Sequence, residues 1–235
     1  GPSIGLDAGA NAGSTFVLVY NLYDTEDIYK RFPSGEGVAY LVGGFNAGGI
    51  GYYAIDVTDP ESPRALWEFS NANLAAGKRN LGMSFGNPII TKRAGDNKWV
   101  AVVTSGYNSP DGRGVLYVLD ALTGTVLSQI DTLEGTPGDQ SGLAKISAWT
   151  ENTLIDNTTR HVYGGDLKGN LWRFDIGSDA TTTKIKLAQL TDAGNRAQPV
   201  TTAPELGQHG QTRYVFVATG KLLHENDLAT TATQS

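Results

Sequence analysis

The stretch Trp99-Val100-Ala101-Val102-Val103-Thr104-Ser105-Gly106, followed after a turn by Val115-Leu116-Tyr117-Val118-Leu119-Asp120, decides the fold of this 235-residue chain. It reads as an apolar strand that ends at glycine, a turn at Asp111-Gly112, and an aromatic strand that ends at aspartate. Similar pairs of segments recur, and the glycines that end their first strands are spaced 62, 59 and 55 residues apart: Gly44, Gly106, Gly165 and Gly220. A repeat of this length predicts a fold in which each period forms one structural unit.

Each period contains four strand candidates, because one apolar segment precedes the core pair and another follows it. Examples are Gly86-Asn87-Pro88-Ile89-Ile90-Thr91 before a core pair, Ala65-Leu66-Trp67-Glu68-Phe69 after one, and Pro199-Val200-Thr201-Thr202-Ala203 at the start of the fourth copy. Four strands per period are typical of one β-propeller blade. A β-sandwich also has short alternating strands, but nothing in it requires the same aromatic strand to recur.

The predicted fold class is therefore an all-β β-propeller with few helices. The chain holds about three to four blades, fewer than the roughly four to eight that close a ring. Residues 1–36 match the repeat poorly, residues 37–228 hold the predicted blades, and residues 229–235 form a polar tail that we expect to continue into missing strands. Gly1-Pro2-Ser3 resembles the scar that a protease leaves when an expression tag is removed.

Composition excludes several classes of function. The formal net charge is −6 and neither sign clusters, which argues against binding of nucleic-acid phosphates. The chain has no cysteine, so thiol catalysis, disulfides and cysteine-ligated metal sites are excluded. No stretch approaches the roughly 20 apolar residues that cross a bilayer, and no transmembrane segment is predicted.

The residues that could carry chemistry have structural explanations in the repeat. Three tryptophans on predicted strands are expected to pack between blades: Trp67, Trp99 and Trp172. Four aspartates precede or occupy turns, where we predict that they accept backbone N–H groups: Asp56, Asp120, Asp166 and Asp175. Three histidines lack metal-type spacing: His161, His209 and His224. Because the sequence also lacks a nucleophile elbow, a phosphate loop and a zinc-protease motif, we assign no catalytic, cofactor-binding or metal residue.

Five segments form a combination that is specific enough to indicate a family. They are Gly51-Tyr52-Tyr53-Ala54-Ile55-Asp56-Val57-Thr58-Asp59-Pro60, Leu66-Trp67-Glu68-Phe69-Ser70, Leu116-Tyr117-Val118-Leu119-Asp120-Ala121 with Thr123-Gly124, Gly165-Asp166-Leu167-Lys168-Gly169-Asn170-Leu171-Trp172-Arg173-Phe174-Asp175, and Pro199-Val200-Thr201-Thr202-Ala203-Pro204-Glu205. In order and spacing they resemble the C-terminal propeller of the PilC/PilY family of type IV pilus biogenesis proteins and tip-associated adhesins. The resemblance covers roughly Val38 to Leu228 and implies a quinoprotein-like propeller with a modified seven-bladed ring.

The resemblance also implies what such a domain does. It implies a non-catalytic role in pilus assembly, retraction control and adhesion to surfaces or host cells. The implied partners are minor pilins or other pilus tip proteins, together with a host cell-surface receptor. The implied location is the pilus tip or the outer membrane, reached by export through the periplasm.

Many members of this family carry an Asp-rich calcium loop just before the strand that here begins His161-Val162-Tyr163. The corresponding segment runs from Trp149 to Arg160 and offers as oxygen ligands only Glu151, Asn152 and Asp156. Arg160 stands where the resemblance places the last carboxylate, and a guanidinium beside a hard cation opposes binding. Calcium is therefore suggested by the resemblance, but residues 149–160 look degraded as a calcium loop and no cofactor is expected.

Two other functions remain as alternatives. Asp120-Ala121-Leu122-Thr123-Gly124 matches a pattern of many quinoprotein-like propellers, which makes a dehydrogenase that uses pyrroloquinoline quinone one alternative. Such an enzyme needs a calcium-bound quinone and a general-base aspartate, and neither is identifiable here. An outer-membrane assembly scaffold of similar fold is the other alternative.

Binding is expected in the irregular segments, because strands repeat for packing reasons while inserted loops vary and often carry recognition. The longest such segments are rich in Asn, Thr, Gly, Ser and Asp: Ser70 to Ser84, Asp131 to Gly142, Trp149 to Arg160 and Gly177 to Thr183.

Overall fold

Thirteen β-strands make up the regular structure of the described residues. The computed structural model describes residues 39–152, 156–177, 183–225 and 227. The strands are β1 (Tyr40–Gly44), β2 (Tyr52–Asp56), β3 (Arg64–Phe69), β4 (Ile89–Arg93), β5 (Trp99–Thr104), β6 (Val115–Asp120), β7 (Val126–Asp131), β8 (Ile146–Asn152), β9 (Asp156–Gly165), β10 (Asn170–Asp175), β11 (Thr183–Gln189), β12 (Glu205–His209) and β13 (Thr212–Phe216). Within these ranges the helical elements are only short 3₁₀ turns such as Asn71–Asn73, and no helix is long and apolar enough to span a membrane.

The strands group into blades in the order that the repeat predicts. Blade 1 contains β1, β2 and β3, and blade 4 contains β12 and β13. Blade 2 (β4–β7) and blade 3 (β8–β11) each have four antiparallel strands in sequence order. A short parallel pairing of β4 with β9, at Lys92 with Thr158 and Arg93 with Thr159, joins these two blades into one eight-stranded sheet. The prediction of an all-β β-propeller is confirmed, whereas the boundaries at residues 36 and 229 lie outside the described residues and remain predictions.

The hydrophobic core lies between successive blades. On β5, Trp99, Ala101 and Val103 belong to a cluster shared with blade 1, while Val100 and Val102 belong to a cluster shared with blade 3. Successive side chains of a strand point to opposite faces, so a blade that is covered on both sides buries every position. This explains why β5 reads as a continuous apolar run, in which all six residues are buried.

The tryptophans named from the sequence are buried in these clusters, as predicted. Trp67 and Trp99 lie between blades 1 and 2, and Trp172 lies in the cluster of blades 2 and 3. The Trp67 indole also donates from blade 1 to the carbonyl of Ala121 in blade 2, at 3.0 Å. The Trp172 indole donates to Asp166 Oδ2 at 2.9 Å, whereas the Trp99 indole nitrogen is buried without an acceptor among the described residues.

A backbone connection repeats wherever one blade meets the next. The Phe45 amide donates to Ser84 Oγ at 2.8 Å, the Gly106 and Leu143 amides donate to each other's carbonyls at 2.6 and 3.0 Å, and the Val200 amide donates to the Asp166 carbonyl at 2.9 Å. In each case the repeated glycine or the residue directly after it contacts the segment that leads into the next blade. We call this set of contacts the blade clasp.

The repeated glycines are required by how closely the backbone approaches at the clasp. A Cβ atom on Gly106 would lie 1.7 Å from the carbonyl oxygen of Met83, and the φ angle of Gly106 is +66°. A Cβ atom on Gly44 would lie 2.5 Å from the Ser84 carbonyl oxygen, and one on Gly165 would lie 2.3 Å from Val200 Cγ1. The spacing that revealed the repeat therefore marks the positions where blades touch.

The aspartates that end the third strands are turn formers, as the sequence indicated. Asp56 Oδ1 accepts the Thr58 amide at 3.0 Å, Asp120 Oδ1 accepts the Leu122 and Thr123 amides at 3.0 Å, and Asp175 Oδ1 accepts the Gly177 amide at 2.9 Å. All three are the i to i+2 bonds of an Asx turn, which hold the chain as it reverses towards the fourth strand.

One segment expected to be irregular is largely regular. Residues 149–160 belong mostly to β8 and β9, which pair antiparallel from Ile146 with Gly164 to Asn152 with Asp156. The Asn- and Thr-rich composition is typical of a loop, but tertiary pairing overrides it because Thr158 and Thr159 also pair with β4. Of the segment 177–183, residues 178–182 lie outside the described residues.

We predict that Gly106→Ala destabilises the fold by about 3 kcal/mol or more, because the new methyl group requires movement of the Met83 backbone and strains a positive φ. Gly138→Ala is the matched control, since a Cβ atom there has nothing within 4 Å. The control should change stability by no more than about 0.5 kcal/mol. Urea unfolding measures both, and equal stability of the two variants would contradict the close approach of Met83 as the reason for the glycine.

Candidate functional site

The turns between the second and third strands of the blades meet at one place. The residues directly after the four repeated glycines are Phe45, Tyr107, Asp166 and Lys221. Because the blades are copies of one unit, their equivalent turns lie at the same end of the propeller. Loops from all four blades border a single groove there, with a volume of about 720 Å³.

The groove has an apolar floor and a polar margin. Its apolar residues come from all four blades or the segments between them: Ala47, Met83, Phe85, Tyr107, Leu167, Pro199, Leu222 and Leu223. Its polar residues lie on the same loops: Asn108, Asp139, Gln140, Lys221 and His224. We call it the four-blade groove. The groove is therefore a concave surface on which apolar side chains and polar groups are both well represented, and binding sites commonly combine the two.

Tyr107 anchors the floor of the groove. Its amide and carbonyl pair with Met83 at 3.2 and 2.7 Å, and its ring centroid lies 5.8 Å from that of Phe85. Only 6% of the residue is exposed. Burial raises the pKa of the Tyr107 phenol, and the nearby Asp166 carboxylate raises it further, so the phenol keeps its proton in the neutral range. The floor is thus a fixed aromatic surface without a titrating group at neutral pH.

The charged side chains at the margin have partners. Asp139 pairs with Lys168, and Lys221 Nζ lies 3.1 Å from an oxygen of Asp227. The Asn108 amide donates to Gln140 Oε1 at 2.9 Å, which fixes the margin between blades 2 and 3. Because these charges are paired, the groove has little net charge to attract an ion. An uncharged or apolar segment therefore fits the groove better than an ion does.

Asp166 is a structural residue beside the groove. Its carboxylate accepts four donors at 2.9 Å each: the amides of Lys168 and Asn170, the Asn170 side-chain amide and the Trp172 indole. Burial raises the pKa of Asp166, although these donors oppose that shift. With its oxygens occupied by turn donors, Asp166 acts as the turn former that the sequence predicted.

Of the three side chains that the sequence offers as calcium ligands in residues 149–160, the structure describes only that of Asp156, since the side chains of Glu151 and Asn152 lie outside its described part. Asp156 is exposed and accepts the Thr158 hydroxyl, while Arg160 Nη1 lies 3.8 Å from Asp175 Oδ2. Calcium takes about six to eight oxygen ligands. In the described part of the chain no group of three or more His, Cys, Asp or Glu side chains could hold a metal ion. The guanidinium of Arg160 instead brings positive charge to this hairpin.

The three histidines occupy three different elements. His161 lies on β9 with Nε2 3.8 Å from Asp175 Oδ2, His209 ends β12 and is exposed, and His224 borders the four-blade groove. Burial lowers the pKa of His161, and the positive charge of Arg173 lowers it further.

Sequence reasoning passed over the groove. Tyr107 and Asn108 lie between Gly106 and the predicted turn at Asp111-Gly112, and Leu222 and Leu223 lie beyond the last glycine of the repeat. Position in the repeat could have indicated part of the groove, because Ala47, Tyr107, Leu167 and Leu222 each lie one to three residues after a repeated glycine. Fold and site together define a β-propeller whose loops border a shared groove.

Comparison with known proteins places the chain in a family. The family model for the PilY1 β-propeller domain matches residues 25–235. This match begins earlier in the chain than the resemblance described from the sequence, which begins at about Val38. The chain therefore belongs to the PilY1 β-propeller family.

Relatives and a solved structure agree with this membership. The type IV pilus biogenesis factor PilY1 of Pseudomonas aeruginosa strain PAO1 is 29% identical over 224 residues, which cover 85% of this chain and 19% of that protein. A PilY1 homolog of Xylella fastidiosa is 31% identical over 213 residues, with 89% and 16% covered. The crystal structure of the C-terminal domain of Pseudomonas aeruginosa PilY1 superposes with a TM-score of 0.71 at 26% identity, covering 93% of this chain and 47% of that domain. The chain thus spans about a fifth of the length of the first of these curated relatives.

We predict that millimolar calcium shifts the melting temperature of the chain by no more than about one degree. Calcium can stabilise the folded chain only if the folded chain binds it, and we expect no such binding. Differential scanning fluorimetry with calcium or with a chelator measures this shift. A clear stabilisation by calcium that Asp156→Ala abolishes would contradict this account of the hairpin.

Proposed function

We propose that this domain is a non-catalytic binding propeller of a type IV pilus biogenesis protein, located at the pilus tip or the cell surface. Its membership of the PilY1 β-propeller family supports the pilus role, since the relatives are named as type IV pilus biogenesis factors. The chain spans a fraction of those relatives, so the proposal concerns what the propeller contributes to the larger protein.

The observation that carries the proposal is the four-blade groove. One loop from each blade contributes to it, so the site exists only when the blades are assembled. Its floor offers aromatic and aliphatic side chains, and its charged residues are already paired. Such a surface favours docking of an apolar peptide segment from a protein partner. We propose that the partner is a minor pilin or another pilus tip protein.

The composition of the groove argues against a catalytic alternative. Among the groove residues that the structure describes, Asp139 is the single carboxylate, and it pairs with Lys168. A quinone-dependent dehydrogenase needs a general base and a metal-bound cofactor in its pocket. We therefore expect no saturable binding of pyrroloquinoline quinone to this chain. Control of pilus retraction and adhesion to a host receptor follow, in this proposal, from docking at the tip rather than from chemistry in the propeller.

The proposal is tested with Leu222→Asp in the full parent protein. Leu222 lies in the groove and is 67% exposed, so the change should leave stability within about 0.5 kcal/mol. Docking should weaken about tenfold or more, because the carboxylate must lose water against an apolar partner. Surface pili counted by electron microscopy, and co-purification of minor pilins, should both fall.

The matched control is Leu133→Asp. Leu133 is also 67% exposed but does not border the groove. Piliation should be normal in this variant. Normal piliation and normal co-purification in Leu222→Asp would place the docking surface elsewhere, and quinone-dependent dye reduction by the purified chain would contradict the non-catalytic role.

A further inference from the structure

A second, smaller pocket lies between the β8–β9 hairpin and blade 4. It has a volume of about 210 Å³ and is lined by Ala94, Trp149, Asp156, Thr158, Arg160, His161 and Arg213. Two arginines and a histidine thus face a cavity to which Asp156 contributes the only lining carboxylate among the described residues. We call it the arginine pocket. It shares no lining residue with the four-blade groove.

Trp149 and Arg213 form one side of this pocket. The guanidinium carbon of Arg213 lies 4.7 Å from the centre of the Trp149 ring, which is a cation–π contact between blades 3 and 4. The indole nitrogen of Trp149 is buried and has no acceptor among the described residues. This N–H group is too buried to reach a ligand directly, so Trp149 contributes to the pocket the ring that holds Arg213.

Arg160 supplies the second guanidinium. Its side chain is 54% exposed, and its Nη1 lies 3.8 Å from Asp175 Oδ2, beyond hydrogen-bonding distance. His161 approaches the same oxygen at 3.8 Å. A guanidinium has five N–H donors in a planar fork, so Arg160 keeps donors that a ligand can use.

The charges around His161 indicate a positive field. Burial is the first cause that lowers the pKa of His161, followed by the positive charge of Arg173, with Arg160 and Arg213 adding to it and Asp175 opposing it. His161 is therefore neutral at neutral pH, and the arginines provide the positive charge. Asp156 and Asp175 limit this field, which favours a single negative charge over two.

We propose that the arginine pocket binds a carboxylate that is presented by an acidic side chain of a protein partner. The planar fork of a guanidinium matches the two oxygens of a carboxylate. The cavity is small, as an acidic side chain requires. An acidic sugar fits less well, because Arg213 already covers one face of the Trp149 ring on which a sugar would stack.

Nuclear magnetic resonance of the full 235-residue chain tests the proposal through its indole N–H signals. The chain has four tryptophans, so Trp149→Phe assigns the Trp149 signal. The probe is the peptide Gly-Gly-Glu-Gly-Gly with acetylated and amidated ends, and the control is the same peptide with Gln in place of Glu. The Glu peptide should shift the Trp149 signal saturably, and the Gln peptide should not.

Variants of the chain distinguish binding in the arginine pocket from a general effect of the chain's positive charge. Arg160→Gln should weaken binding of the Glu peptide about tenfold, because it removes charge-assisted hydrogen bonds. Arg196→Gln is the matched control, since Arg196 is exposed and pairs with Asp192 outside the pocket, and it should bind as the unchanged chain does. If Arg160→Gln fails to fold, Arg160→Lys, which keeps the charge but loses the fork, should bind more weakly than the unchanged chain.

Several results would overturn the proposal. Equal shifts with the Glu and Gln peptides, or unchanged affinity in the Arg160 variant that folds, would exclude a carboxylate site. Tighter binding of inorganic phosphate than of the Glu peptide would assign a different anion. Tighter binding of glucuronate would assign a sugar, not a protein, as the source of the carboxylate.

Discussion

The blade clasp is the contact on which the rest of this structure depends. At each junction the backbone beside a repeated glycine bonds to the segment that leads into the next blade, as in the pair Gly106 and Leu143. A Cβ atom at Gly44 or Gly165 would meet the segment that leads into the next blade, and one at Gly106 would meet Met83 in the segment that leads into its own blade. The same glycines begin the turns that reach the four-blade groove. The close packing around these glycines therefore joins the blades and also positions the groove loops.

Packing between the blades follows from the clasp and explains which strands are buried. Blade 2 has neighbours on both sides, and β5 and β6 are almost wholly buried. Blade 4 has a described neighbour on one side only, and there Tyr214 and Phe216 stack with their rings 6.0 Å apart while both remain exposed. These two rings are exposed because blade 4 has one described neighbour, and not because its sequence is less apolar. In a repeat protein each unit is buried by the units on either side of it.

Much of the fold could be predicted from the sequence, because packing forces the same residue types into each copy. The repeat therefore predicted the recurrent glycine and the buried tryptophans. It also predicted the aspartates that form Asx turns: Asp56, Asp120 and Asp175. The four-blade groove was not, since Tyr107, Leu167 and Leu222 come from separate loops with unlike sequences. Residues 149–160 were interpreted as a loop because Asn and Thr are common in loops, but most of that segment is strand because β8 pairs with β9, and Thr158 and Thr159 also pair with β4, more than 60 residues away in sequence.

Amide hydrogen exchange at the clasp tests the central claim most directly. The claim is that the clasp opens only when the blades separate, which requires global unfolding. The amides of Gly106 and Leu143 should therefore exchange as slowly as that of Val102 in the middle of β5, although both lie outside strands. Exchange as fast as that of Gly194, whose amide bonds only to the side chain of Asp192 in an exposed turn, would show that the blades are held together by other contacts and would contradict the account.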